Sequence, residues 1–232
     1  MARFPSALRR YSFAVWIAGL TTAGASWFWR SDGRTPSLPL MATLAGLLLL
    51  AQALPRHTPQ GAKVTLNSVP IFAAIIALPM GAAVSTVVVG MILAEALGRR
   101  PWVETLFNAT STAIATGLGC LLYAGLAGNG GLWMAVAAAV ASAIAVHLAN
   151  VSLVAGAVAT HHGLFYCPTW RAMAFGEAGK HALMFLGGGL LGALLLWQPL
   201  SGGPLLLVAV ATYIWTRWRD RLPLPCLTRT DC

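Results

Sequence analysis

The sequence predicts an all-α polytopic membrane bundle of about eight helices, two of them short. Hydrophobic residues make up 58% of the 232 residues and charged residues only 9%, and the hydrophobic residues gather in several runs of 16 to 29 residues. Soluble domains carry about 25% charged residues, whereas a hydrocarbon layer about 30 Å thick requires runs of this length. Composition therefore excludes a soluble or disordered chain, and the alternation typical of β-barrel strands is absent.

Eight apolar segments account for the helices in order. Glycine and proline separate them, for example at Pro55, Gly81 and Pro101, because both residues interrupt regular structure. Two segments leave alternatives open: residues 64–97 form either a hairpin of short helices or a re-entrant pair, and residues 132–160 form one helix or two. The predicted helices are Tyr11–Trp29, Leu38–Leu54, Val64–Pro79, Ala82–Leu97, Thr105–Leu126, Leu132–Thr160, Ala172–Trp197 and Pro204–Thr216.

The basic residues predict the orientation of the bundle. If the N-terminus is cytoplasmic, 12 of the 15 Lys and Arg residues fall on the cytoplasmic side, only Arg30 and Arg34 fall outside, and Lys180 lies within a span. Cytoplasmic loops of membrane proteins carry such an excess. We therefore expect a single transmembrane domain over residues 1–221, a short cytoplasmic tail at 222–232, and both termini on the cytoplasmic face of a plasma or bacterial inner membrane. The net charge of +9 then reflects topology, and no nucleic-acid partner is expected.

Polar side chains within the predicted spans are the candidate functional residues, because burying them in hydrocarbon is costly. Glu177, Lys180 and His181 lie at i, i+3 and i+4 in the seventh predicted helix and so share one face. Gly188 and Gly192 continue that face, where small residues let another helix approach closely. The simplest role for Glu177 and Lys180 is an ion pair within the helix.

The fifth and sixth predicted helices carry similar polar stripes. Asn108 and Thr112 lie on the fifth helix, and His147 and Asn150 lie on the sixth. We expect the fifth, sixth and seventh helices to pack together, with the asparagines as interhelical hydrogen-bond links. The polar side chains should gather near the cytoplasmic face, except for His147 nearer the midplane.

Cofactor and metal chemistry are not expected. His147 and His181 would ligate haem or a metal only if they faced each other across two helices, and packed, hydrogen-bonded histidines are the favoured alternative. The four cysteines include no CxxC pair, which argues against a zinc site or a disulfide framework. No catalytic motif is present, so we predict neither catalytic residues nor a cofactor.

A few short motifs resemble a known family. Residues 99–102 form an Arg-Arg-Pro-Trp loop, Phe107-Asn108-Ala109 opens the next span, Asn150 lies within the one after it, and Trp170-Arg171 precedes a Gly/Leu-rich stretch. Over roughly residues 64–220 the chain is similar to the multi-span membrane sensor region at the N-terminus of some bacterial HD-GYP and GGDEF signalling proteins. In that family a catalytic domain follows the last span, whereas only residues 217–232 follow here, so we expect no cyclic-di-nucleotide enzyme activity.

Three functions follow as alternatives. The resemblance implies a non-enzymatic sensing or signal-input module that acts through another membrane or cytoplasmic protein. The size also fits a substrate-binding membrane subunit of an energy-coupling-factor transporter, although the predicted outer half lacks the polar side chains of an outward-facing pocket. The Ala/Gly-rich helix faces fit a structural subunit of a membrane complex. The lipid bilayer is a partner in all three.

Overall fold

The computed structural model describes residues 6–28, 35–53, 56–57, 63–64, 66–128, 131–176 and 178–197. These residues form eight helices and one small antiparallel sheet, in which β1 (Arg56–His57) pairs with β2 (Lys63–Val64). The predicted all-α class is confirmed. The helices are α1 (Ser6–Phe28), α2 (Leu38–Ala53), α3 (Ser68–Ala77), α4 (Met80–Leu97), α5 (Trp102–Ala127), α6 (Gly131–His162), α7 (Tyr166–Gly176) and α8 (Ala178–Trp197).

Proline and local hydrogen bonds set the boundaries of the central helices. α4 and α5 begin directly after Pro79 and Pro101, where proline costs no helical hydrogen bond. Leu78 is extended, as steric crowding requires before a proline. After α4, the N–H groups of Arg99 and Arg100 donate to the carbonyls of Ala96 and Glu95 at 3.1 Å each. Arg99 has a left-handed φ of 53°, so an arginine occupies a position that helix ends usually give to glycine.

Four helices are long and apolar enough to cross a membrane: α4, α5, α6 and α8. α6 is a single helix of 32 residues, about 48 Å long at 1.5 Å per residue, which settles the choice between one helix and two. These four helices indicate an integral membrane protein with several spans, in contact with the lipid bilayer.

The described residues of the seventh predicted helix are helical. The sequence predicts one span over residues 172–197, and the structure describes α7 up to Gly176 and α8 from Ala178, with Glu177 outside the described residues. The predicted helix at 204–216 and the predicted tail at 222–232 lie outside the described residues.

α3 occupies the centre of the bundle. Its residues from Ile71 through Ala77, together with Leu78, are each 7% exposed or less. α8 packs along it most extensively, and α2, α4 and α5 also contact it. α3 contacts α4 much less than it contacts α8, so α3 packs mainly on α8 although only Leu78 and Pro79 separate it from α4.

Contacts between helices fix their relative directions. Trp16 and Thr22 of α1 lie beside Trp102 and Gly117 of α5, so α1 and α5 run parallel. Both therefore begin at the end of the bundle where α4 connects to α5. Arg9, Arg10, Arg99 and Arg100 all lie at this end, which we call the arginine end. That clustering agrees with the predicted charge asymmetry, while the cytoplasmic placement of the termini stays a prediction.

Candidate functional site

Three polar side chains from three helices meet inside the bundle. The ring centroids of His147 on α6 and His181 on α8 are 4.9 Å apart. Ser68, the first residue of α3, places its Oγ 3.2 Å from Nδ1 of His181. We call Ser68, His147 and His181 the histidine cluster. The two histidines thus face each other across two helices, an arrangement that the sequence does not reveal.

One nitrogen of His147 has no hydrogen-bond partner among the described residues. Its Nε2 lies 3.0 Å from the backbone carbonyl of Ala174, and because a carbonyl only accepts, Nε2 carries a proton and donates. In the imidazole with a single N–H, Nδ1 is then the hydrogen-bond acceptor. It is buried, and no hydrogen bond reaches it from the described part of the chain. Such a group is costly to bury unsatisfied, by about 1–3 kcal/mol, so His147 presents a lone pair suited to a donor.

The histidine cluster lies at mid-depth, beside the junction of α7 and α8. His147 is at the midpoint of α6. α7 runs back along α6, because Trp170 Nε1 donates to Ser152 Oγ at 3.0 Å while Ala174 meets His147. The described part of α7 ends at Gly176 and that of α8 begins at Ala178, so both of these ends lie close to the level of His147.

The predicted depth of His181 is therefore wrong. His181 is near the beginning of α8, but α7 precedes α8 and carries the chain to mid-depth. Consequently His181 lies level with the centre of α6, away from either end of the bundle. The expectation that the polar residues gather near one face fails at this position.

Two glycines hold α8 against α3. A Cβ atom at Gly188 would lie 2.6 Å from the carbonyl oxygen of Val69, and one at Gly192 would lie 2.9 Å from Cβ of Ile76. The predicted close approach at Gly188 and Gly192 is confirmed. The partner differs, since we expect α8 to pack with the fifth and sixth helices, whereas it packs mainly on α3, and α7 takes the place on α6.

The remaining predicted site residues do not join the histidine cluster. Lys180 is exposed, and Glu177 lies outside the described residues, so their predicted ion pair stays a prediction. Asn150 is half-buried, and the described residues offer its side chain no hydrogen bond. Thr112 is buried and donates to the carbonyl of Asn108 at 2.6 Å, a bond within its own helix.

Asn108 belongs to a second cluster, at the arginine end. Its Nδ2 donates to Oε1 of Glu95 at 3.2 Å, which links α5 to α4. Arg100 lies 3.9 Å from the Glu95 carboxylate and 3.8 Å from that of Glu104. Glu95 is only 8% exposed. We call Glu95, Arg100, Glu104 and Asn108 the carboxylate cluster. The predicted role of Asn108 as an interhelical link agrees with this geometry.

Sequence reasoning misses several polar residues of the interior, among them Ser68 and Ser142. Ser68 begins a short, very apolar helix. Its contact with His181 could be predicted only if the packing of α3 on α8 were already known. Ser142 of α6 is fully buried and donates to the carbonyl of Gly119 at 2.9 Å. Ser142 lies five residues before His147, and its position predicts burial only once the buried face of α6 is known.

Two cavities open towards the arginine end. One, of about 600 Å³, lies between the first turns of α1 and α5 and is lined by Arg9, Arg10, Trp16 and Trp102 among others. The second, of about 500 Å³, lies beside Tyr11, whose hydroxyl donates to the carbonyl of Leu153 at 2.8 Å. Neither cavity includes His147 or His181 in its lining.

The histidine cluster is short of ligands for a protein-held metal. Among the described residues, no group of three or more His, Cys, Asp or Glu side chains comes close enough to bind a metal ion. Two imidazoles and a hydroxyl instead suit hydrogen bonding to a ligand. Comparison with protein-family models, with curated proteins and with solved structures finds no match for this chain.

Proposed function

We propose that this protein is a membrane signal-input module without catalytic activity, which binds a small ligand at the histidine cluster and acts through a partner protein. The proposal rests on the buried Nδ1 of His147, for which no described residue supplies a hydrogen bond. A ligand that donates a hydrogen bond to this nitrogen removes the cost of leaving a buried acceptor unsatisfied.

The position of the cluster supports a signalling role. Ser68, His147 and His181 belong to α3, α6 and α8, and His147 also holds the end of α7 through the Ala174 carbonyl. A ligand at Nδ1 therefore contacts the point where four helices meet. A ligand shifts a conformational equilibrium when it binds one arrangement of these helices more tightly than another.

The resemblance to bacterial sensor regions supports the same proposal. It covers Asn108, Asn150 and the Trp170-Arg171 pair, although this pair lies within α7 and does not form the expected loop. In the proposed mechanism, ligand binding at His147 alters the α7–α8 junction, and α8 transmits the change to a partner.

Native mass spectrometry of the full chain in nanodiscs of its own membrane lipids tests the ligand site. We expect the wild-type protein to carry a small-molecule mass that His147→Phe loses, because phenylalanine keeps an aromatic ring but has neither Nδ1 nor Nε2. Asn150→Leu, one turn further along α6, is the matched control and should keep the mass. A bound mass that survives His147→Phe, or no bound mass in the wild type, contradicts the proposal.

A transport subunit is the second candidate, and the position of the histidine cluster level with the centre of α6 favours it. Transporters commonly bind substrate near the midplane of the bilayer. Cross-linking in native membranes separates the two functions. A cytoplasmic signalling domain cross-linked to the chain supports signal input, whereas a pair of ATPases supports transport and contradicts signal input.

A further inference from the structure

The groove between α1 and α5 has the chemistry of a lipid site. Its volume of about 600 Å³ falls in the range of small-molecule sites, about 300–1,000 Å³. Arg9 and Arg10 stand at its mouth, and Phe13, Trp16, Trp102 and Val103 form its mainly apolar wall. The groove thus joins positive charge to apolar surface at the arginine end, where α1 and α5 both begin.

The charges of this groove have no counter-charge in the described part of the chain. Arg9 and Arg10 are exposed, and neither forms an ion pair with a described carboxylate. Arg100 differs, because it lies beside Glu95 and Glu104. Adjacent unneutralised guanidinium groups attract a phosphate, which arginine binds through parallel hydrogen bonds.

The tryptophan pair supplies a second, independent observation. The rings of Trp16 and Trp102 are 5.6 Å apart, and tryptophan is enriched where a membrane meets water. The indole Nε1 of Trp16 is buried and donates to no acceptor among the described residues. A buried donor without an acceptor is costly, and an ester or phosphate oxygen of a lipid would accept from it.

We propose that an anionic phospholipid from the surrounding bilayer occupies this groove, with its phosphate at Arg9 and Arg10 and its glycerol region and acyl chain along Phe13, Trp16 and Trp102. The apolar wall favours a lipid over free phosphate, and the charge favours an anionic lipid over a zwitterionic one. Basic pockets between transmembrane helices are known to bind lipid headgroups in this way. The site is separate from the histidine cluster.

Lipid retention measured by native mass spectrometry tests the proposal. The full chain is reconstituted in nanodiscs of equal parts phosphatidylglycerol and phosphatidylcholine and then released. We expect one phosphatidylglycerol to be retained in preference to phosphatidylcholine. Arg9→Gln with Arg10→Gln should lower this preference about tenfold or more, since each charge near an anionic headgroup contributes about 1 kcal/mol. Arg171→Gln, which removes an exposed arginine of α7 outside the groove, is the matched control and should leave the preference unchanged.

Two further variants distinguish loss of the lipid site from misfolding or altered membrane orientation of the double glutamine variant. Arg9→Lys with Arg10→Lys keeps the charge, and should retain phosphatidylglycerol with a few-fold loss. Trp16→Phe leaves both arginines in place and keeps an aromatic side chain, but it removes the indole Nε1 donor. We expect it to lower phosphatidylglycerol retention several-fold. Unchanged preference in both Trp16→Phe and the double glutamine variant overturns the proposal. So does displacement by free glycerol phosphate at equal concentration, equal retention of phosphatidylcholine, or a dimer mass in place of the lipid.

Discussion

The two polar clusters differ in how they satisfy polar side chains that are buried in a membrane bundle. In the carboxylate cluster, Asn108 donates to Glu95, and Arg100 lies beside the same carboxylate. In the histidine cluster, Nδ1 of His147 is buried and receives no hydrogen bond from the described residues. A polar group in a membrane bundle is stable when it is satisfied, so the carboxylate cluster fits a structural role and the histidine cluster fits a binding role.

Their positions reinforce the contrast. The carboxylate cluster lies at the arginine end, where Arg100 remains 46% exposed in its side chain and the cost of charge is smallest. The histidine cluster lies level with the centre of α6 and has no comparably exposed charged member. The cost of an unsatisfied group is greatest away from water, and the described residues leave Nδ1 of His147 unsatisfied there, as they also leave Nε1 of Trp16 towards the arginine end.

The largest expected effect is on the packing that assembles the histidine cluster. Gly188→Ala places a Cβ 2.6 Å from the backbone oxygen of Val69, which cannot move without shifting α3. We expect a loss of about 1–3 kcal/mol in the free energy of unfolding, as for other overpacked interiors, measured by SDS denaturation in mixed micelles. Gly179→Ala is the control, because a Cβ there meets open space. Equal stability of the two variants would show that α8 does not depend on close contact with α3.

Asn108→Leu tests the carboxylate cluster. The substitution removes the donor to Glu95, a carboxylate only 8% exposed, and should cost about 1–3 kcal/mol, as expected for a buried hydrogen bond to a charged group. Asn150→Leu removes an asparagine for which the described residues provide no hydrogen bond, and should change stability by less than about 0.5 kcal/mol. The same denaturation measurement compares them, and equal losses would remove the distinction between the two asparagines.

Helix positions and one close contact were predictable from the sequence. Apolar runs between glycine and proline breakers predict α2, α5 and α6 to within a few residues of the observed limits, and the four-residue spacing of Gly188 and Gly192 predicts a close helix contact. Which helix makes that contact is not encoded in the spacing. Any neighbouring helix could pack closely against these two glycines, and in the structure α3, at the centre of the bundle, does.

The histidine cluster could not be predicted, for a geometric reason. A sequence fixes which residues of one helix share a face, but not how two helices rotate against each other, so the contact of His147 with His181 is invisible to it.

Arg99→Gly tests whether the charge or the backbone conformation of residue 99 has the larger effect on stability at the arginine end. Arg99 has a φ of 53°, a left-handed conformation that costs a non-glycine residue roughly 1–2 kcal/mol. We expect glycine here to stabilise the protein by about 1 kcal/mol in SDS denaturation, despite the loss of one positive charge. Arg100→Gly should instead destabilise, because Arg100 lies beside Glu95 and Glu104. A stabilising effect of both substitutions would mean that the carboxylate cluster gains nothing from its arginine.

The smallest expected change in stability is at His147. His147→Phe removes the hydrogen bond to the Ala174 carbonyl but also removes the buried, unpartnered Nδ1. These effects oppose each other, because a lost hydrogen bond costs about 0.5–1.5 kcal/mol while relief of an unsatisfied group gains a similar amount. We therefore expect less than about 0.5 kcal/mol change in SDS denaturation, together with loss of the co-purifying ligand mass. A large loss of stability would place His147 with Asn108 among residues that hold helices together, and the contrast between the two clusters would disappear.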